Sequence, residues 1–425
     1  MRSGLDRDLD ELSDTGTKGP SCRLCAADLT ETFVDLGSSP PCESYVSAEQ
    51  LDAPEVFYPL HVRICSRCLL VQLPPYVDNE GIFSDYAYFS SFSDSWVAHA
   101  GRFVDEFAER LGLGADSLMI EVASNDGYLL QHAVRRGIPV VGVEPAANIA
   151  DVARERGVRT ETAFLGRETG RRIAERYGRG DLVVGNNVFA HTPELLDFAA
   201  GLRELVKDDG LVSLEFPHLL RLIEGRQYDT IYHEHYSYFT LRTATAALAT
   251  AGLTVVDVVE LPTHGGSLRV LSTPAEVAGA PSGAVAKVLA DEEAAGLHTL
   301  EGHAGFSAAV LEVKRDLLDL LVDASRRGLS VAGYGAPGKG NTLLNHCGIR
   351  SDLLPYTVDR SPYKQGMFLP GTHIPIHAPE RLAQTRPDLV LILPWNLREE
   401  IMEQLSYVRE WGGRFVLPIP RPEIL

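Results

Sequence analysis

The sequence predicts an α/β fold that consists of a small N-terminal metal-binding lobe followed by two Rossmann-like domains. Three observations support this prediction: two C-x-x-C pairs near the N-terminus, a strand–loop–helix pattern over residues 117–137, and a G-x-G-x-x-G pattern over residues 333–338. A chain of 425 residues is also too long for one hydrophobic core, so we expect two or three domains.

The first 19 residues are polar and acidic and contain no apolar core of the kind found in signal peptides. We therefore expect residues 1–19 to form a disordered leader and the protein to be cytoplasmic. The formal net charge of −19 argues against a broad nucleic-acid surface, because phosphate binding needs clustered Lys and Arg. No apolar run reaches the length of a transmembrane helix, so no membrane partner is expected.

Four of the six cysteines form two pairs that are the expected ligands of one ion: Cys22, Cys25, Cys65 and Cys68. Two such turns are a strong signal for zinc, because each presents two thiolates to one face of a tetrahedral ion. Disulfides are the alternative, and a cytosolic compartment disfavours them. Four thiolates leave no open coordination position, so the zinc is expected to be structural. Cys42 and Cys347 are expected to be ordinary buried thiols.

The first α/β unit begins with the buried-strand run SLMIEV, turns at ASNDG and continues into the helical segment YLLQHAVRRG. The next strand ends at Glu144, where an acidic side chain can accept hydrogen bonds from ribose hydroxyls. Of the dinucleotide glycines only Gly127 is present, and a pyrophosphate needs the others. S-adenosylmethionine (SAM) carries an adenosine but no phosphate. The loop therefore suits SAM better than NAD.

Polar residues also follow the next strand, DLVVGNN, at Asn186, Asn187 and His191. The carboxyl ends of strands line the ligand crevice of an open α/β sheet, so we expect these side chains to touch ligand. An aromatic, serine-rich segment over residues 81–96 bridges the zinc lobe to this domain. The residues expected to contact the cofactor are Tyr86, Phe89, Glu121, Ala123, Asn125, Gly127, Glu144 and Asn186.

A second α/β signature lies in the C-terminal third, where Gly333, Gly335 and Gly338 stand between a predicted strand and a predicted helix. Asp359 ends the following strand, as the acidic residue of a Rossmann fingerprint does. This pattern supports an alternative function, an NAD-dependent oxidoreductase. Lys339 beside a helix N-terminus also suits phosphate binding, and a diphosphate does not have to belong to NAD.

The segment YHEHYSYF, residues 232–239, concentrates side chains that can handle protons. A shared metal is disfavoured, because the run lacks the H-E-x-x-H spacing of zinc proteases. A general base needs only one His or Tyr in a crevice with a neighbour that orients it. A polar surface patch is the remaining alternative, although His, Tyr and Phe at this density are costly to expose. On a turn, Tyr232, Glu234 and His235 could converge.

Together these motifs resemble those of the sugar-nucleotide C-methyltransferases, SAM-dependent enzymes that add a methyl branch to C-3 of dTDP-4-keto-deoxysugars for antibiotic sugars. The resemblance runs from Cys22 to the C-terminus and rests on the C-x-x-C pairs, DYAYFSSFS, EVASNDGYLL, NNVFAH, YHEHYSYF, THGGSLR and GAPGKGNTLLN. It implies an α/β fold with a zinc-binding lobe (20–84), a Rossmann-like SAM methyltransferase domain (85–275) and a C-terminal Rossmann-like sugar-nucleotide-binding domain (276–425).

The resemblance also implies that His235, the second histidine of YHEH, is the proton acceptor. The expected reaction is enolate formation at C-3, promoted by that base, followed by methyl transfer. The expected catalytic residues are His235, Tyr232, Glu234 and His191. The expected substrate-binding residues are Asn187, His191, Tyr232, His264, Lys339 and Asn341. The expected cofactors are SAM and a structural zinc ion, and the expected partner is a dTDP-4-keto-deoxysugar. The oligomeric state stays open, with a monomer as the working assumption.

Overall fold

The computed structural model describes residues 19–77 and 89–425 of the chain. Apart from Gly19, the predicted leader lies outside the described residues, and so does the predicted cofactor contact Tyr86. In the described part of the chain, no helix combines the length and the apolar character that crossing a bilayer requires.

The N-terminal part is a small antiparallel sheet. Its strands are β1 (Glu31–Ser39), β2 (Tyr58–Ile64) and β3 (Val71–Gln72). Strand β2 lies between the other two, and its side chains alternate in burial, as in a sheet with one face on a core. One C-x-x-C pair precedes β1 and the other forms the turn between β2 and β3, so the sheet brings the two pairs together.

The middle part is a seven-stranded sheet. The next strands in the chain are β4 (Met119–Val122), β5 (Val140–Val143), β6 (Thr160–Glu161), β7 (Gly180–Asn186), β8 (Val206–Pro217), β9 (Ser237–Tyr238), β10 (Leu253–Leu261) and β11 (Ser267–Pro274). All except β9 belong to this sheet, in the order β10-β11-β8-β7-β4-β5-β6. Strands β4 to β8 run parallel, and β10 and β11 form an antiparallel hairpin beside β8.

Helices cover both faces of the middle sheet. Neighbouring residues of β4 accordingly pack into two different hydrophobic cores, Met119 into one and Ile120 into the other. The helices are α1 (Asp94–Leu111), α2 (Leu130–Arg135), α3 (Ala147–Glu155), α4 (Arg167–Tyr177), α5 (Leu195–Leu205), α6 (Leu219–Glu224) and α7 (Leu241–Ala249). Helix α1 begins where the Ser93 hydroxyl accepts the N–H of Trp96, and it ends at Gly112 in the left-handed region.

The C-terminal part is a second Rossmann-like sheet. Its strands are β12 (Val331–Tyr334), β13 (Thr357–Val358), β14 (Ile376–His377), β15 (Leu389–Ile392), β16 (Arg414–Leu417) and β17 (Glu423–Ile424). The order is β14-β13-β12-β15-β16-β17, with only the last pair antiparallel among the described strands. Helix α8 (Gly283–Ala294) comes before these strands and packs against β10 of the middle sheet. The helices of the C-terminal part are α9 (Phe306–Arg326), α10 (Gly338–Cys347), α11 (Glu380–Thr385) and α12 (Arg398–Gln404).

The N-terminal sheet lies against both larger units. Its fourth strand is β9, which follows the YHEH segment and pairs with β3. On the other side, Phe33 of β1 stacks on Phe306 of α9 with ring centroids 4.7 Å apart. The predicted α/β class with two Rossmann-like sheets is confirmed. The strand pairing also ties the N-terminal sheet to the segment that carries the candidate base.

Candidate active site

The two C-x-x-C turns form one compact cluster. Their four sulfur atoms lie within 4.8 Å of one another. The sulfurs of Cys22 and Cys68 are 3.5 Å apart, as are those of Cys25 and Cys65. Zn–S bonds of about 2.3 Å in a tetrahedron place sulfurs about 3.8 Å apart, so the donor set fits a four-thiolate zinc ion. The Gln72 amide donates to the Cys22 sulfur at 3.1 Å, as expected for a thiolate ligand.

A cavity of about 1700 Å³ opens between the middle and C-terminal sheets. Side chains from all three parts of the chain line it. The predicted site residues on its wall are Phe89, Ala123, Asn125, Glu144, Asn186, Asn187, His191, Tyr232, Glu234, His235, His264 and Lys339. These residues are distant in sequence. They meet because the carboxyl ends of the parallel strands of the two sheets face the same space.

The loop after β4 forms one end of the cavity. Ala123 and Asn125 have positive φ angles of 54° and 47°, and Gly127 has a φ of 77°. The backbone N–H groups of Asn125 and Ala146 donate to the two carboxylate oxygens of Glu144, at 2.9 and 3.0 Å. Burial raises the pKa of Glu144 to about 7 against these hydrogen bonds. The carboxylate thus fixes the loop and still offers lone pairs to a ligand.

Two residues predicted to bind the cofactor do not reach the cavity wall. Glu121 is fully buried beneath the loop, and burial raises the pKa of its carboxyl well above the ordinary value. Gly127 lies in the turn, where an added Cβ would approach the Val158 side chain to 3.0 Å. Both residues therefore support the loop after β4 on the side away from the cavity. The sequence prediction placed them in contact with ligand because it could not resolve which side of the turn faces the crevice.

The YHEH segment forms a tight turn directly before β9. The backbone N–H of His235 donates to the Tyr232 carbonyl at 2.9 Å, and the two rings lie 4.0 Å apart between centroids. Tyr232, Glu234 and His235 therefore face the cavity together. His233 faces the N-terminal sheet instead, where it contacts the Pro59 carbonyl at 3.3 Å.

The tautomer of His235 follows from its partners. Its Nδ1 lies 2.7 Å from the Thr230 carbonyl oxygen, which can only accept, so Nδ1 carries the hydrogen. In the neutral ring Nε2 then holds the lone pair. The Nε2 of His191 lies 3.1 Å away and donates to it. Burial, with a smaller contribution from the nearby charge of Lys339, lowers the pKa of His235 to about 4. The ring is therefore neutral near pH 7 and can accept a proton at Nε2.

Glu234 has a partner from the N-terminal part. The Cys42 sulfur lies 3.6 Å from a carboxylate oxygen of Glu234, so the thiol donates to the carboxylate. Burial, followed by the Glu234 charge, raises the pKa of Cys42 well above its usual range, which keeps the thiol protonated. The prediction that Cys42 is a buried thiol is confirmed, and the structure adds that it lies on the cavity wall.

His264 reaches the cavity from the loop between β10 and β11. Its φ of 56° is unusual for a residue with a Cβ, and the loop is held where the Gln227 amide donates to the Gly265 carbonyl at 2.7 Å. The His264 ring packs edge-on against Trp96 with centroids 5.2 Å apart. Burial lowers the pKa of His264 to about 4, so this ring is also neutral near pH 7.

Lys339 forms the opposite wall. Its ammonium donates to the Asn396 side-chain oxygen at 2.9 Å and lies 5.2 Å from the centre of a Trp395 ring. The Asn396 amide and the Trp395 ring are both neutral, so neither cancels the positive charge that Lys339 presents to the cavity. Asn341, predicted to bind substrate, does not line the cavity. Its side chain donates to the Cys42 carbonyl at 2.6 Å, so its position one turn into α10 turns it towards the N-terminal part.

Residues of the G-x-G-x-x-G unit contact other protein groups closely. A Cβ added to Gly338 would lie 2.8 Å from the Cys42 sulfur and 3.1 Å from a Glu43 carboxylate oxygen. The Ala336 N–H donates to Asp359, and its carbonyl accepts from Tyr45 at 2.6 Å. The space in which a dinucleotide pyrophosphate would meet the helix N-terminus therefore holds Cys42 and Glu43. This arrangement argues against the oxidoreductase alternative.

Sequence reasoning missed a buried ion-pair network of which two members, His99 and Arg269, line the cavity. The Glu215 carboxylate accepts from Arg269 at 2.7 Å and lies 3.0 Å from His99. Glu215 sits in the last part of β8, so the rule that strand ends line the crevice could have indicated it. His99 and Arg269 carried no comparable signal, because one is a helix residue and the other lies in an antiparallel strand.

Three family models match the chain: a zinc binding domain over residues 22–83, a methyltransferase domain over residues 96–258 and a C-methyltransferase C-terminal domain over residues 262–420. The chain is 38% identical over 404 residues to the C-methyltransferase NovU of Streptomyces niveus. That match covers 95% of this chain and 96% of the relative.

Among solved structures, the chain is similar to magnesium protoporphyrin IX methyltransferase of Synechocystis PCC 6803 with bound SAM. The identity is 16% and the TM-score 0.31, over 42% of this chain and 81% of that one. A SAM-dependent methyltransferase of Anabaena variabilis gives 14% identity and a TM-score of 0.35, over 41% and 84% of the two chains. Scores this low add nothing to the match with the family.

Proposed function

The chain belongs to the C-methyltransferase family, and we propose that it methylates C-3 of a dTDP-4-keto-deoxysugar with SAM as the methyl donor. The observation that carries this proposal is the YHEH turn, which presents a neutral imidazole lone pair of His235 to the cavity. Methylation of a carbon needs a base to create the nucleophile, whereas an oxygen or nitrogen nucleophile needs less help. A carbon beside a ketone is the carbon acid that one imidazole can deprotonate.

The residues around the loop after β4 fit SAM. Glu144 offers carboxylate lone pairs to the two ribose hydroxyls, and Asn125 and Asn186 add polar contacts on the same side. Phe89 adds an aromatic face at the cavity edge. When bound, SAM supplies an electrophilic methyl group on a positively charged sulfur.

The sugar nucleotide would lie across the other half of the cavity. Lys339 supplies a positive charge held by neutral partners, which suits the diphosphate or another anionic part of the substrate. Asn187, His191, Tyr232 and His264 also line the cavity and would hold the sugar. In that position C-3 of the sugar faces His235. The other residues that line the cavity would then contribute to the reaction rate mainly by orienting the two substrates.

In the proposed reaction, Nε2 of His235 takes the C-3 proton, and the electron pair moves into an enolate on the C-4 oxygen. The N–H of His191 donates to Nε2, so it must turn away before this step to free the lone pair, and it can then donate to the C-4 oxygen. Tyr232 is a second donor, because burial raises the pKa of its hydroxyl and keeps it protonated. C-3 then forms its bond to the methyl group as the sulfur–methyl bond breaks.

The pH dependence of the first step should reveal the buried base. With S-adenosylhomocysteine in place of SAM, the enzyme should exchange the C-3 hydrogen of the substrate with deuterated water. A base with a pKa of about 4 stays neutral above that pH, so the exchange rate should be constant from pH 8 to pH 5 and fall as the pH approaches 4. The rate is measured by mass spectrometry, with circular dichroism as the check on folding. A midpoint near the ordinary histidine value would contradict a buried His235 as base.

Removal of the Glu144 charge should weaken SAM binding and leave dTDP binding unchanged. Glu144→Gln keeps an acceptor for one backbone N–H but loses the charge-assisted contact, worth roughly 1.5–3 kcal/mol, or about 10–150-fold in affinity. Calorimetry with SAM and with dTDP measures both affinities, at a pH above the Glu144 pKa of about 7 so that the carboxylate is ionised. Glu168→Gln, an exposed carboxylate on the same wall, is the matched control and should bind SAM normally. Unchanged SAM affinity in Glu144→Gln would place the cofactor elsewhere.

The proposed substrate class is tested by incubating the wild-type protein with SAM and a panel of dTDP-4-keto-deoxysugars. Each product is identified by its mass. We expect a gain of one methyl group with at least one 4-keto sugar and none with the corresponding 4-hydroxy sugars, because only the ketone makes C-3 acidic. Methylation of the 4-hydroxy sugars would contradict the enolate mechanism.

A further inference from the structure

Asp229 is a buried carboxylate for which the proposed reaction provides no direct role. It lies in the 3-10 turn Tyr228–Thr230, directly before the YHEH segment, and it is 0% exposed. The indole N–H of Trp395, from the C-terminal sheet domain, donates to its carboxylate at 2.6 Å. Asp229 is absent from the cavity wall, so it cannot contact a substrate.

Trp395 connects Asp229 to two groups that do reach the cavity. One is Lys339, whose ammonium lies 5.2 Å from the centre of a Trp395 ring. The other is the His264 loop, where a Cβ added to Gly265 would lie 2.8 Å from the Trp395 side chain. The indole therefore fills the space between the carboxylate, the cation and this loop, and one hydrogen bond to Asp229 fixes its orientation.

The same turn also holds the candidate base. Thr230 follows Asp229 directly, and its carbonyl oxygen accepts from Nδ1 of His235 at 2.7 Å. The backbone of the turn is closed where the Ile231 N–H donates to the Tyr228 carbonyl at 3.1 Å. Any rotation of the turn that separates Asp229 from Trp395 would move the Thr230 carbonyl and the ring that it orients.

We propose that Asp229 is a positioning residue for the C-methyltransferase reaction: through Trp395 it holds Lys339 in place and in its charged form, and through Thr230 it holds the turn that orients His235. The role of Lys339 towards the substrate rests on the proposed function. The coupling between Asp229 and Lys339 belongs to the protein alone and can be measured without substrate.

The charges around Lys339 set the direction of the expected effect. Burial lowers the pKa of Lys339, and Asp229 is the group that opposes this change. His235 and His264 also face Lys339 and are neutral near pH 7, so they add no positive charge beside it. On the other side, Asp229 faces Tyr228 and Cys347, which burial keeps protonated. Removal of the carboxylate charge should therefore lower the pKa of Lys339 further.

The first experiment follows the titration of Lys339 directly. The chain has only six lysines, so carbon-13 labelling of lysine Cε gives a spectrum that the Lys339→Arg variant can assign. Asp229→Asn keeps an oxygen acceptor for the Trp395 N–H and removes only the charge. We expect the midpoint of the Lys339 titration to fall by about 1 pH unit in Asp229→Asn. Glu292→Gln, a buried carboxylate away from the cavity, should leave the midpoint unchanged.

The second experiment reads the same coupling in the reaction. The alkaline limb of the pH profile of kcat/KM should move to lower pH in Asp229→Asn and stay in place in Glu292→Gln. Trp395→Phe removes the N–H and keeps a ring beneath Lys339, so it should lower kcat through the loosened turn.

A native fold with an unchanged Lys339 midpoint in Asp229→Asn would overturn the proposal, whether or not the wild-type protein methylates. A fallen midpoint without any methylation by the wild-type protein would support the coupling and count against the proposed function alone.

Discussion

The His235→Asn variant should bind both substrates and lose methyl transfer by about 10²–10⁴-fold, the contribution expected of a general base. Asn keeps the polarity and approximate size of the side chain, and its amide N–H can still donate to the Thr230 carbonyl. It cannot take up a proton near neutral pH. The same variant should lose exchange of the C-3 hydrogen with deuterated water in the presence of S-adenosylhomocysteine. Calorimetry with S-adenosylhomocysteine and dTDP shows whether the two binding sites are intact.

The neighbours of His235 provide the comparison. Tyr232→Phe removes a donor to the enolate oxygen, and Glu234→Gln keeps an acceptor for the Cys42 thiol, so both should give smaller losses than His235→Asn. Exchange that survives in His235→Asn but disappears in one of the other two variants would assign the base to that residue. Survival of exchange and methylation in all three would remove the YHEH turn from the catalytic machinery.

The Cys65→Ser variant should lose zinc and much of its stability. One of four thiolates is removed from a closed tetrahedral site, and loss of a structural metal is among the few changes that cost more than about 4 kcal/mol. The effect should extend to the reaction. The turn Cys65–Cys68 leads directly into β3, which pairs with β9, and the Leu73 N–H donates to the Tyr236 carbonyl at 2.9 Å. A loosened β3 would therefore disturb the residue next to His235.

Zinc content, melting temperature and kcat are the three measurements for this variant. Cys347→Ser is the matched control, because Cys347 is a buried thiol outside the four-sulfur cluster. It should retain one zinc ion per chain and most of the activity. A Cys65→Ser protein that is free of zinc, melts at the wild-type temperature and turns over at the wild-type rate would refute a structural role for the metal.

Sequence periodicity and motif order were sufficient for the fold. The runs SLMIEV and DLVVGNN became β4 and β7, and the glycines at 333, 335 and 338 lie between a strand and a helix as expected. These patterns are local, and each reports the burial of one strand or the start of one helix. The rule that strand ends line a crevice also led to Glu144 and Asn187, which the structure places on the cavity wall.

The remaining features depend on contacts between distant parts of the chain. Cys42 and Glu43 reach the N-terminus of α10 only because the N-terminal sheet packs against the C-terminal domain, and no local pattern encodes that approach. Asn341 lies two residues after Lys339, yet the two side chains have different partners. Two residue steps along a helix rotate the side chain by about 200°, so proximity in a motif does not place two residues at one site.

The position of the transferred methyl group tests the central claim most directly. The wild-type protein is incubated with a dTDP-4-keto-deoxysugar and SAM that carries carbon-13 in its methyl group, and the product is examined by carbon-13 NMR with the sugar ring also labelled. We expect a one-bond carbon–carbon coupling between the new methyl group and C-3. A methyl group bonded to oxygen, or coupled to any other ring carbon, would contradict C-methylation at C-3.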